Sequence, residues 1–377
     1  MGTQLVKAFF NHQGKYPHLP NAPTSEEILD ELDVSPLNDV IVSKQNEGNM
    51  DILRLFAINA FKDPYHSCRG MSFAIYASSG QGKTYIVKQW AKTIGIPFVF
   101  VQADALSSTW NLLQLIVTAF KKTSIDIVDN DGHIKIPPCI VFIDEAHALP
   151  KKLMEGGLLN AMEYNDGIMK VTRGKGKNLE TLVVDCSYIC WVGATTEEGK
   201  LFDAFASRLE TNINWHPAGP AEIAQIVGLH YPHFPQNACE AVAHYRNIPR
   251  AAMAFARLMN MTVNAKHCSW EEAASEVATN MGIDSHGMPK RQVKILEALG
   301  QRPIAKGNLS MVAGCKPDAL ENIVLPPLMS HAGNGPFIVP THRGFMLTRA
   351  GLYELDKRGL DHNGDEVTVE AMEEAVK

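Results

Sequence analysis

Residues 73–90 read FAIYASSGQGKTYIVKQW, and the order of residue types in this stretch decides the class of fold. Phe73 to Tyr76 suit a buried strand. They are followed by small residues, two glycines, a lysine–threonine pair, and then apolar side chains at helical spacing. A strand, a glycine-rich turn and a helix in that order let backbone N–H groups at a helix N-terminus surround phosphate oxygens. On this reading Ser79, Gly80, Gln81 and Gly82 shape a phosphate loop, Lys83 reaches the outer phosphates, and the Thr84 hydroxyl ligates Mg²⁺. Ala77 stands where the pattern GxxxxGK[ST] has its first glycine.

Outward from this stretch, further apolar runs recur between helical segments: PFVFVQA at 97–103, CIVFIDE at 139–145 and YICWVGAT at 188–195. Runs that are apolar on both faces and alternate with helices indicate a parallel sheet covered on both sides. The run at 139–145 delivers Asp144 and Glu145 at its C-terminal end, where such a sheet presents ligand groups. Asp144 is suited to hold Mg²⁺ and Glu145 to polarise an attacking water, because phosphoryl transfer requires mainly positioning and charge neutralisation. The tetrapeptide Asp144-Glu145-Ala146-His147 spells the box of one helicase superfamily, yet no second alternating core follows residue 200. His147 is therefore expected to start a helix rather than to couple two domains.

Composition narrows the classes. With 377 residues, 45% hydrophobic and 20% charged, the chain is an ordinary globular protein long enough for two or three domains. No apolar run is long enough to span a bilayer, and the first residues lack the features of a signal peptide, so a cytoplasmic location is expected. Seven cysteines without a CxxC pair disfavour structural zinc and a disulfide framework. A net charge of −6 excludes a uniformly basic surface but not a local basic patch.

Consecutive helices are expected from GPAEIAQIVGLHY (219–231), NACEAVAHYRN (237–247) and IPRAAMAFARLMNMTVNA (248–265). Beyond about residue 285, three helical segments and the hairpin FIVPTHRGFMLT (337–348) suit a winged helix. The expected division is an N-terminal arm at 1–35, a large α/β domain at 36–217, a helical lid at 218–284, a winged helix at 285–360 and a tail at 361–377. A wing would place His342 and Arg343 against the DNA backbone or in its minor groove, supported by Lys290 and Arg291, although a winged helix can also serve protein contact alone.

After the strand at 188–195 come GATTEEG (193–199) and SRL (207–209). With the Asp144-Glu145 strand end and the lid segment around Arg250, they resemble an AAA+ ATPase of the RuvB family, whose GATTRxG…SRF has the same spacing. That resemblance implies a P-loop core with a parallel sheet, a small helical lid, a C-terminal winged helix, and ATP with Mg²⁺ as ligands. It also implies Glu145 as catalytic base, Thr196 as sensor 1, Arg208 as a finger acting on a neighbouring subunit's nucleotide, and Arg250 as sensor 2. The family forms homo-oligomeric rings, typically hexamers, that act on duplex or branched DNA at Holliday junctions. Its hairpin, here 168–184, docks the partner RuvA through apolar contact. In this chain the tip RGKGKN (173–178) is basic and glycine-rich, and Lys175 and Lys177 can touch phosphates or stay solvated. Two functions remain open: a motor that translocates on DNA as a branch-migration helicase, or a non-translocating ATP switch, a loader or target-selecting ATPase that recruits another protein.

Overall fold

The computed structural model describes residues 35–62, 71–121, 134–163, 167–173, 180–197, 199–329, 336–342 and 344–360. The expected N-terminal arm before residue 35, Lys175 and Lys177 at the hairpin tip, Arg343 and the tail after 360 lie outside these residues. The chain divides into two compact units, residues 1–217 and 218–377. Among the described residues no helix is long and apolar enough to cross a membrane.

The first unit is built on five parallel strands: β1 (Phe73–Tyr76), β2 (Phe98–Gln102), β3 (Cys139–Asp144), β6 (Ile189–Thr195) and β7 (Thr211–Asn214), in the order β2-β3-β6-β1-β7. An antiparallel pair, β4 (Ile168–Arg173) and β5 (Glu180–Asp185), precedes β6. Alternation of side chains sends Ile140 and Phe142 of β3 to one core, with Phe73, Trp90 and Met50. Val141 and Ile143 go to the other, with Leu112, Ile116, Phe120 and Met169. Each such side chain removed from water contributes about 1.5–3 kcal/mol, which is why the runs are apolar throughout rather than alternating. Trp90, on α2 (Lys83–Ile94), packs edge-on against Phe73 at 5.5 Å and donates its indole N–H to the Leu53 carbonyl of α1 (Glu47–Lys62) at 2.9 Å. The opposite core is closed by α3 (Thr109–Lys121) and by Met169 and Val171 from β4.

Topology sets the site. All seven residues of β6 are buried, and this strand lies between β1 and β3. The end of the phosphate-loop strand and the end of the acidic strand are therefore separated by the single strand that ends in Thr195.

The second unit starts with four helices, α5 (Pro220–His230), α6 (Gln236–Tyr245), α7 (Pro249–Lys266) and α8 (Trp270–Asn280), around Ile223, Val242, Phe255, Met259 and Val277. Helix α8 begins with a capping box in which Ser269 and Glu272 satisfy one another's backbone N–H groups. A separate core gathers Ile295, Leu299, Leu309, Leu325, Phe345 and Leu355 from α9 (Lys290–Gln301), α10 (Lys306–Ala313), α11 (Leu325–Met329), the hairpin β8 (Ile338–Thr341) and β9 (Gly344–Leu347), and α12 (Arg349–Lys357). Arg358, with a side chain only 6% exposed, joins Asp284 at 2.7 Å and the Glu354 carboxylate.

Candidate nucleotide site

The loop between β1 and α2 has the geometry that its glycines allow. Gly80 and Gly82 adopt φ of 82° and 92°, in the left-handed region that a side chain disfavours. Ala77 is outside that region, and its N–H donates to the Thr195 carbonyl at 3.3 Å, so a methyl group is accommodated where the motif has glycine. No side chain caps the helix at Gly82, which leaves the first-turn N–H groups of α2 as a natural anion cradle. Gln81 and Lys83 are buried, Thr84 is half-buried, and Ser79 is exposed. The Lys83 ammonium donates to the Ala77 carbonyl at 2.8 Å, six residues back along its own loop.

The acidic pair occupies the end of β3. Asp144 accepts the Glu145 N–H at 3.1 Å, and Glu145 itself has φ of 50°, one of two non-glycine residues with positive φ among the described residues. Such a conformation costs on the order of 1–3 kcal/mol and recurs where a side chain must be aimed. Here it turns the carboxylate toward β6: the Thr196 hydroxyl donates to Glu145 Oε2 at 3.3 Å. Two residues expected to act together are thus in direct contact, 51 positions apart in the chain.

His147 also reaches this cluster, which the residue pattern did not indicate. It lies in the tight helical turn Ala146–Ala148, in keeping with a helix start, but its Nδ1 sits 2.8 Å from the Thr195 hydroxyl and 3.5 Å from Glu145 Oε2. The available signal was the fourth letter of the acidic tetrapeptide, three residues past the strand end. Beside it, Glu197 donates its N–H to Thr195 Oγ1 at 3.0 Å, and hydrogen bonding to Lys200 holds the Glu197 carboxyl below its usual range.

Arg208 is positioned by packing. Phe205, on α4 (Asp203–Ala206), lies so close to Gly193 of β6 that a Cβ there would stand 2.9 Å from its ring. Arg208 then donates to the carbonyls of Leu159 at 2.9 Å and Ala204 at 2.7 Å and pairs with the Glu163 carboxylate. Within this chain it is held by its own unit. Arg250 is exposed on the first turn of α7 in the second unit. In that unit Lys290 and Arg291 are exposed where α9 begins, and His342 is exposed in the turn between β8 and β9. Among the described residues no cluster of three or more His, Cys, Asp or Glu could hold a metal ion by itself.

Comparison with known proteins matches residues 73–216 to the ATPase family associated with various cellular activities (AAA). The Holliday junction branch migration complex subunit RuvB of Synechococcus sp. (strain WH7803) is 27% identical over 289 residues, covering 74% of this chain and 73% of that protein. The protein of the same name from Prochlorococcus marinus (strain MIT 9303) is 27% identical over 291 residues, 74% of this chain and 76% of the relative. Among solved structures, the Thermotoga maritima RuvB Holliday junction branch migration motor superposes with a TM-score of 0.60 at 19% identity, covering 84% of this chain and 95% of that one. At that identity the likeness speaks for the fold.

Proposed function

Because this chain is a RuvB-like AAA+ ATPase, we propose that it works as one subunit of a homo-oligomeric ring, of six copies by analogy, that uses ATP hydrolysis to move duplex or branched DNA. The observation that carries this reading is the reach of the fold likeness. It covers 84% of the chain, more than the first unit alone can supply, and so extends into the second unit. An isolated ATPase core would not account for that reach. We assign 36–217 as the ATPase domain, 218–284 as the lid and 285–360 as the DNA-binding winged helix.

In this reading the loop N–H groups at Gly80 to Gly82 and the Lys83 ammonium, turned from the Ala77 carbonyl, bind the phosphates. Thr84 and Asp144 fit the Mg²⁺ that accompanies ATP: both are half-buried oxygen donors, one on the first turn of α2 and one at the end of β3. When bound, that cation offsets charge on the phosphate oxygens. Glu145 orients the attacking water, and Thr196, already bonded to it, registers the γ-phosphate. Arg208 leaves Glu163 and offers its guanidinium to the nucleotide of the next subunit, while Arg250 responds from the lid. Lys290, Arg291, His342 and Arg343 hold DNA through its phosphates. The hairpin 168–184 is the docking element for a RuvA-like or other recombination partner.

The ring is tested by mixing subunits. Arg208→Ala should bind ATP with near-normal affinity yet lose DNA-stimulated turnover. Mixed with Glu145→Gln subunits, it should regain part of that turnover at hybrid interfaces. Absence of any rescue, with assembly intact, would place Arg208 in a role within its own subunit.

A further inference from the structure

His147 is the group at the strand ends that the reading above leaves without a task. Its side chain is 21% exposed, and its Nδ1 faces two oxygens: Thr195 Oγ1 at 2.8 Å and Glu145 Oε2 at 3.5 Å. The Glu145 contact decides which atom donates. Thr195, fully buried at the end of β6, already accepts the Glu197 N–H at 3.0 Å, and its own proton can point to the Glu197 carbonyl at 3.5 Å. A bare Nδ1 would set its lone pair against a lone pair of the Glu145 carboxylate. A protonated Nδ1 instead donates to Thr195 and attracts Glu145, so the network selects the Nδ1–H tautomer. The same carboxylate oxygen takes the Thr196 hydroxyl at 3.3 Å. Glu145 is thereby held from two sides, by a ring on its own turn and by a hydroxyl on the neighbouring strand.

We propose that His147 is a positioning residue for ATP hydrolysis, tying the water-orienting carboxylate of Glu145 to the end of β6 through Thr195. The proposal rests on Glu145 being the group that orients the attacking water. The backbone of Glu145 is in the left-handed region, so its side-chain direction is not secured by an ordinary backbone well and depends on such external contacts. The link also has a direction. A displacement of the β6 end by a bound γ-phosphate moves Thr195 and Thr196 together, and His147 carries that displacement to the carboxylate. The phosphate loop has its own tie to the β6 end, the Ala77 N–H on the Thr195 carbonyl at 3.3 Å, and that tie does not pass through His147.

The test compares His147→Ala, His147→Asn and His147→Gln in the full-length protein, because an asparagine amide N–H falls near the Nδ1 position and a glutamine amide near Nε2. Removing the donor should lower kcat by about 10- to 100-fold, the scale on which misplacing a reacting group acts. Affinity for a fluorescent ATP analogue and KM should change by no more than about threefold, since the binding groups are elsewhere. Asparagine should restore most of kcat and glutamine should not. Thr195→Val probes the same link from the other side, and combining it with His147→Ala should cost little more than either change alone. Unchanged kcat in His147→Ala, or equal loss in the asparagine and glutamine variants that tracks a lowered melting temperature, would overturn the proposal. Glu145→Gln, measured in parallel, separates the two levels. Normal turnover there would remove the reading of Glu145 itself, whereas loss there beside full activity in His147→Ala would remove only the role of His147.

Discussion

The strand ends of the first unit and the proposed winged-helix segment of the second carry polar groups in opposite ways. At the strand ends, side chains from three segments of the chain are bonded to one another or to backbone: Lys83 to the Ala77 carbonyl, Thr196 and His147 to the Glu145 carboxylate, and His147 to a fully buried threonine. Lys290, Arg291 and His342 stand exposed on helix and turn. On the proposed roles, the difference is the one expected between a site that fixes atoms for chemistry and a surface that meets the phosphates of DNA. The first needs pre-placed partners; the second needs only reachable charge. Substitutions in the first region should therefore act steeply and one at a time, and those in the second shallowly and additively.

The steepest expected effect is at Glu145. Glu145→Gln keeps the shape of the side chain and its contact with Thr196 but removes the proposed base, and turnover should fall by about 10²- to 10⁴-fold. A phosphate-release assay beside a nucleotide-binding measurement reads both quantities. Binding should persist, and turnover within a few-fold of the parent would break the contrast between the regions at its stronger end.

An intermediate effect is expected where the second unit does have a dense polar cluster. Replacing Arg358 by Met leaves the Glu354 and Asp284 carboxylates without their buried cation, and should cost about 3–5 kcal/mol of stability by chemical denaturation. The pH dependence has a definite sign. Burial raises the Asp284 carboxyl, but the Arg358 bond and the N–H groups of Met288 and His286 outweigh it, so the folded value lies below the ordinary one. The unfolded chain then takes up this proton first on acidification. The contribution is full above the unfolded value of about 3.9 and is lost as pH falls through the lower folded value. Asp284→Asn should flatten that acid limb, and an unchanged limb would assign it to other carboxylates.

The smallest single-site effect is expected on the exposed surface. Arg291→Ala should weaken duplex binding only several-fold, alike across DNA sequences, and lower the slope of log affinity against log salt by about one contact's worth. Removal of residues from about 285 onward should abolish most binding while basal ATP hydrolysis continues. Fluorescence anisotropy at two salt concentrations checks both, and unchanged affinity with unchanged slope would move DNA contact to the first unit.

The same contrast governs how much could be read from residue order. The glycine-rich turn and the acidic strand end stood out in position because each is a local pattern at the C-terminal end of an apolar strand, and Thr196 stood out through the GATT resemblance; their roles belong to the proposal above. Strand β7 was not, since in Thr211-Asn212-Ile213-Asn214 only Ile213 is buried and no apolar run marks it. Helix α8 escaped for a related reason: its buried face is mostly alanine, although Ser269 and Glu272 spell its capping box. Helix α12 was not read either, although its few apolar residues do recur at helical spacing: it is nine residues long and mostly polar, with Leu352 and Leu355 on its packed side. The hold on Arg208 depends on Glu163, 45 residues earlier, and that of His147 on Thr195, 48 residues later, separations at which residue order carries no pairing information.

Whether hydrolysis drives movement is the central question, and a labelled synthetic four-way junction answers it most directly. With ATP, this protein should convert the junction to duplex products at a rate that rises with turnover, while Glu145→Gln or a non-hydrolysable ATP analogue should bind the junction and leave it intact. Vigorous DNA-stimulated ATP hydrolysis with no junction converted would contradict the motor reading, and would leave an ATP-driven switch that recruits another protein.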